Sequence, residues 1–243
     1  FNVTGVHAVD ISAGDGNDRI VIQTNSSDIT GTIDGGGETT QDVLDLSLLS
    51  LGRIVDSALL NDIESLIGTG GNDTLIGNVA GSAFTVTGAS NAGNLDGTLQ
   101  FSSVETLLGG AGPDSFTVED TLTIGAVIGG GDTDTLDLSG YTSARSVQLS
   151  AVVASNGFTG SESAVGTFTG IDTITASAQS GEEITGLNAN AIFTLDGTPA
   201  STYATGGETL TLNSFEVFTG NAGQDRFDIT GNQTATANGG GGD

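Results

Sequence analysis

The chain has 243 residues, with 30 acidic side chains against 4 basic ones and a formal net charge of −26. Such a surface repels nucleic acid and anionic lipid, and it suits divalent cations or basic partners. With no cysteine, neither disulfides nor thiolate metal sites can form. Its 40 glycines and two prolines, set between short alternating aliphatic runs, indicate a turn-rich, folded β protein.

Taken in order, strand-like runs fall at Arg19–Ile22, Ile29–Ile33, Val43–Leu46 and Ile63–Ile67, then at Thr74–Ile76, Phe84–Thr87, Thr98–Phe101 and Val104–Leu108. They continue at Thr135–Leu138, Ser146–Leu149, Ile192–Leu195, Thr209–Leu212 and Arg226–Ile229, with Gly, Asn and Asp between them. No window holds a sustained helical period, and no apolar run approaches the ~18 residues of a membrane span. The expectation is an all-β chain.

The chain also repeats itself. Phe84-Thr85-Val86-Thr87-Gly88 returns as Phe193-Thr194-Leu195-Asp196-Gly197, 193 − 84 = 109 residues later. Glu105 returns as Glu216 and Asp114 as Asp225, both after 111. Self-similarity at about 95–110 residues points to a repeat architecture. The expected boundaries are the end of one unit over 1–17, units over 18–113 and 114–224, and the start of another over 225–243. Beginning at Phe1 without a Met, the chain reads as a segment of a longer array.

Glycine-aspartate loops punctuate each unit. Gly109-Gly110-Ala111-Gly112-Pro113-Asp114-Ser115-Phe116-Thr117 fits the nonapeptide G-G-x-G-x-D-x-U-x, where U is a large apolar residue. Shorter or imperfect copies lie at Ala13–Val21, Gly68–Ile76, Gly129–Asp137 and Gly220–Asp228. Glycines let a tight turn point carbonyls inward, and a hard cation such as Ca²⁺ wants about six to eight oxygens. The spacing of 18 from Asp114 to Asp132 and from Asp225 to Asp243 matches one short coil of two strands and two turns. Asp132 is therefore expected above Asp114, in a right-handed parallel β-solenoid (a β-roll or β-helix). The alternative is a string of β-sandwich modules.

These loops resemble the haemolysin-type (RTX) calcium-binding repeats of secreted bacterial proteins, and the longer unit resembles repeats of large bacterial surface and adhesin-like proteins. Carried over residue by residue, the resemblance implies Ca²⁺ held by Asp18, Asp73, Asp114, Asp132, Asp134 and Asp225 with the loop backbone at Gly110 and Gly112. In that family the nonapeptides run in tandem, whereas here the loops are isolated or paired. Read from the residues alone, the same loops are also G-x-D turns whose aspartates bond nearby N–H groups.

Other residues carry weaker expectations. Asp45 and Asp137, each inside Leu-Asp-Leu, should face solvent from strands whose leucines face in. Thr-x-Thr pairs such as Thr85/Thr87 and Thr209/Thr211 suit strands. His7, the one histidine, has no catalytic constellation around it. All four basic residues are arginines; Arg19 and Arg226 each follow a loop aspartate and read as charge partners in the turns.

The functional expectation is a non-enzymatic structural segment, stabilised by Ca²⁺, of a secreted or cell-surface bacterial protein: a stalk, adhesin shaft or extracellular filament. Its partners would be neighbouring repeat units, with head-to-tail self-assembly, or glycans on a host or biofilm surface, as further options. A carbohydrate-binding or carbohydrate-active β-helix is the alternative, although the chain has no Trp and only two Tyr.

Overall fold

The computed structural model describes residues 10–23, 30–37, 41–196, 200–231 and 234–241. His7, Ile29, Gly242 and Asp243 lie outside them. The described chain is all-β apart from one 3₁₀ turn at Ser57–Leu59. Two long sheets dominate. The first has 13 strands. From edge to edge they are Arg19–Val21, Val43–Asp45, Ser65–Ile67, Leu99–Ser102, Ala92–Leu95, Ala83–Val86, Ser115–Val118, Thr135–Asp137, Thr173–Thr175, Glu208–Asn213, Ala200–Thr205, Ala191–Leu195 and Asp225–Ile229.

The second sheet has ten strands. They run Ile54–Asp56, Thr74–Ile76, Thr106–Leu108, Ala126–Ile128, Gly166–Ile171, Phe158–Glu162, Ser146–Val152, Glu183–Thr185, Val217–Thr219 and Thr236–Asn238. A small third sheet stacks Ile11–Ser12, Ile33–Asp34 and Leu60–Asn61 in parallel.

The chain passes repeatedly between the two long sheets, and most neighbouring strands are parallel and in register. Ser115 lies opposite Thr135, which lies opposite Thr173; Thr74, Thr106 and Ala126 do the same in the second sheet. Alternation places one side chain of each short strand inside: Leu75, Leu107 and Val127 are buried beside half-buried neighbours. The two inner faces meet in one apolar core, where Phe193 packs edge-on against Phe218 of the opposite sheet at 6.1 Å.

The long sequence repeat has a packing counterpart. Phe84 stacks on Phe116 with ring centroids 5.1 Å apart, and 109 to 111 residues later Phe193 stacks on Phe227 at 4.8 Å. Both pairs sit where an antiparallel meander joins the parallel stack. Among the described residues there are three such meanders: 83–102 and 191–213 in the 13-stranded sheet, and 146–171 in the ten-stranded one. In each, the last strand pairs with the preceding parallel strand and the first with the following one. The chain thus overshoots by two strand positions and then fills backwards.

Two expectations need correction. The register sets Asp114 beside Asp134, a spacing of 20 rather than 18, because Ser115 pairs with Thr135. Asp132 instead occupies the turn, at φ 67°, where its carboxylate accepts from the Thr133 N–H and hydroxyl. Asp45 is buried rather than solvent-facing: Arg19 of the adjacent strand lies over it in an ion pair, while Asp137 is half-buried.

Candidate functional site

The loop aspartates belong to a larger pattern that the structure assembles at the sheet corners. Where the chain turns into a strand, the preceding residue offers its carbonyl to the next layer: the Thr135 N–H bonds the Asp114 carbonyl, and the Thr173 N–H bonds that of Asp134. The N–H of that same residue has no ladder partner, because the next layer is still turning. A buried N–H left so costs roughly 1–3 kcal/mol. The equivalent acid of the next layer fills the gap with its side chain.

In the 13-stranded sheet, the Ser82 N–H donates to Asp114 Oδ1 (2.6 Å), the Asp114 N–H to Asp134 Oδ1 (2.8 Å), and the Asp134 N–H to Asp172 Oδ2 (3.0 Å). An earlier run links Asp18 to Asp42 (2.7 Å) and Asp42 to Glu64 (2.8 Å). The ten-stranded sheet has two runs of its own. The backbone N–H of Arg53 donates to Asp73 (2.6 Å) and that of Asp73 to Glu105 (2.8 Å); the backbone N–H of Arg145 donates to Glu182 (2.5 Å) and that of Glu182 to Glu216 (3.0 Å). In the 13-stranded sheet the runs break at the meander over 83–102; in the ten-stranded sheet the first run ends at Glu105, because Gly125 and not an acid precedes the next parallel strand, Ala126–Ile128.

The second carboxylate oxygen closes the loop. Asp114 Oδ2 accepts the Gly110 N–H at 2.7 Å, Asp73 Oδ2 accepts the Thr69 N–H at 2.7 Å, and Asp225 Oδ2 accepts the Asn221 N–H at 3.2 Å, each four residues back. This explains the glycine five residues before the acid. A Cβ on Gly109, Gly129 or Gly220 would collide with the carboxylate of Asp114, Asp134 or Asp225. Gly110 and Gly112 are constrained differently: a side chain there would strike the backbone of Asn78 and Ala80 in the adjacent loop.

The predicted residues are therefore only partly brought together. Asp114, Asp132 and Asp134 share one corner, Asp18 and Asp73 lie in separate runs, and Asp225 follows Ala191 in the last layer. Asp73, Asp114 and Asp134 are almost wholly buried. Among the described residues, no three or more Asp, Glu or His side chains converge tightly enough to enclose a metal ion. Buried oxygens without a partner do remain on Asp18 (Oδ2), Asp42 (Oδ2), Asp134 (Oδ2) and Asp225 (Oδ1).

Asp134 is the electrostatic focus. Burial pushes its pKa up to about 7, against the Asp114 N–H that lowers it; Asp114, Asp172 and Asp132 push it further up. Burial likewise raises Asp114, Asp172 and Glu182.

Asp42, Glu64, Glu105, Asp172, Glu182 and Glu216 went unrecognised in the loop motif, yet a signal for them exists. Each is an acid followed, two residues later, by a buried Leu, Ile or Phe: Asp42-Val-Leu, Glu105-Thr-Leu, Asp172-Thr-Ile, Glu216-Val-Phe. Arg145 sits over the Tyr141 ring at 4.1 Å and in a closed ion pair with Glu162, with both charged groups almost fully covered. Comparison with known families, curated proteins and solved structures returns no match for this chain.

Proposed function

We propose that this chain is a load-bearing structural segment: a right-handed parallel β-solenoid of irregular units over 18–113 and 114–224, flanked by parts of others. It would serve in a stalk, adhesin shaft or extracellular filament of a secreted or cell-surface bacterial protein. The observation that carries the reading is the corner ladder, in which consecutive layers are joined by the sheet and by a side-chain hydrogen bond running the opposite way. Such a stack extends without limit along one axis, and right-handed crossovers are the rule for parallel connections.

Calcium fits this reading in part. The uncommitted oxygens of Asp18, Asp134 and Asp225 would be its carboxylate ligands, while Asp73 and Asp114 have both oxygens engaged by N–H groups. When bound, the ion would neutralise the acidic corners and favour the folded form in calcium-rich surroundings.

The test is length. Thirteen strands spaced ~4.8 Å apart span about 58 Å. A genetic tandem of two copies should double the long dimension in small-angle scattering or negative-stain images while leaving its width unchanged. Two beads on a flexible joint would refute the shaft.

A further inference from the structure

Between Gly166–Ile171 and Thr173–Thr175 the chain changes sheet with a single residue, Asp172, where the adjacent layer spends the loop 129–134. That corner is filled from elsewhere, by the hairpin tip 153–157 that joins Ser146–Val152 to Phe158–Glu162. A Cβ on Gly157 would lie 2.5 Å from the Ile171 carbonyl oxygen and 2.9 Å from Asp172 Oδ1, and one on Gly170 would lie 2.8 Å from Asn156 Nδ2. The tip also touches the next meander. The Ser155 N–H donates to Glu208 (2.6 Å), and Val152 packs beside Gly206.

The turn is closed by the Val153 N–H on the Gly157 carbonyl (2.9 Å) and the Asn156 N–H on the Val153 carbonyl (2.9 Å), with Ser155 at φ 59° and Gly157 at φ 72°. Among the described residues, the Gly157 N–H has no acceptor, and the half-buried Asn156 side-chain amide is in no hydrogen bond. Asn238, also followed by a glycine, is held differently. It sits in a strand, its carbonyl takes the Gly220 N–H (2.7 Å), and its amide donates to Thr219 (3.4 Å).

We infer that Asn156-Gly157 is a self-modification site, at which the asparagine is converted by water to aspartate and isoaspartate. The Gly157 nitrogen bonds Asn156 Cγ, the Cγ–Nδ2 bond breaks, and the Gly157 proton leaves with that nitrogen as ammonia. Glycine suits the step because no Cβ crowds the attacking nitrogen. Water then opens the cyclic imide. Addition at Cγ restores the ordinary peptide with Asp at 156, and addition at the backbone carbonyl leaves the chain running through the side chain, longer by a methylene. Either product sets a new carboxylate beside Asp172 and Glu208, and like charges this close weaken the corner and the contact between the two meanders.

The test incubates the full, folded chain in mildly alkaline buffer made with H₂¹⁸O and maps its peptides by mass spectrometry. Asn156 should exchange NH₂ for labelled OH and yield isoaspartate, at about tenfold or more the rate of Asn238. Asn156→Asp, one of the two products, should melt roughly 1–3 °C below the parent at neutral pH. During the incubation the parent's melting temperature should drift down toward that variant, while Asn156→Ser, which has no amide to lose, keeps its own. Conversion that appears only in denaturant, or no faster at Asn156 than at Asn238, would overturn the site. An equal downward drift in the parent and in Asn156→Ser, or an Asn156→Asp chain as stable as the parent, would overturn its effect on the corner.

Discussion

A single carboxylate in the corner ladder has two jobs, and Asp134 shows the tension between them. Its Oδ1 accepts the Asp114 N–H, which favours the ionised form, but burial and three neighbouring acids favour the protonated one and win, at about pH 7. In the unfolded chain an aspartate titrates near ~3.9. Between those values the folded state binds more protons, so this group's contribution to stability is fully present below about pH 3.9, is lost as pH rises toward 7, and is absent above that. Asn at 134 retains the acceptor and cannot ionise. Asp134→Asn should therefore melt higher than the unmodified chain at pH 8, by roughly 4–8 °C for an effect on the order of 2 kcal/mol, and the two should converge toward pH 4. Parallel melting curves across that range would show that Asp134 is not the titrating group. At this scale the chemistry was half legible. The G-x-D loops advertise their aspartates, but Glu105 and Glu216 precede ordinary strands, and the large apolar residue two positions on is the one local sign of their place until the layers are stacked. Asp45 fails for the same reason: its cover, Arg19, comes from the strand beside it and not from its own.

At the scale of the element, the loop between strands is a closed device: a glycine, a short turn, and an acid folded back onto the N–H four residues earlier. Gly109 is the narrowest point, since a Cβ would meet the Gly129 carbonyl of the next layer as well as Asp114. Gly109→Ala should cost about 3 kcal/mol, whereas Gly140→Ala, whose Cβ would meet nothing, should stay close to the parent. Chemical denaturation of the two variants checks this, and equal midpoints would refute the account. Strands with strong β-branched or aromatic alternation, such as Thr74–Ile76 and Arg226–Ile229, were readable from their residues. Ala92–Leu95, Phe158–Glu162 and Ala200–Thr205 were not: the first two carry Gly in mid-strand and the third opens on Ala-Ser, and all three sit between antiparallel neighbours that make up for it. The meanders were therefore invisible, although the 109-residue offset they create was plain.

For the whole molecule, the decisive quantity is the charge of −26 distributed over a long stack. If calcium takes the uncommitted corner oxygens, melting in millimolar Ca²⁺ should exceed melting in EGTA by the linkage amount, about 2.7 kcal/mol at a hundredfold excess over Kd. An unchanged melting temperature would remove the ion from the mechanism and leave the stacked scaffold standing. The overshoot at each meander has a separate consequence for how such a molecule comes into being. A chain added layer by layer can dock each new strand on the last, but Ala83–Val86 finds no partner on the growing end, because its neighbours are Ala92–Leu95 and Ser115–Val118, both made later. Zippering from the amino end must pause there until Leu99–Ser102 reaches back to Ser65–Ile67, and the three strands arrive as one block. The meanders thus divide a stack of strands that would otherwise assemble and fray continuously into segments that form, or are lost, all at once.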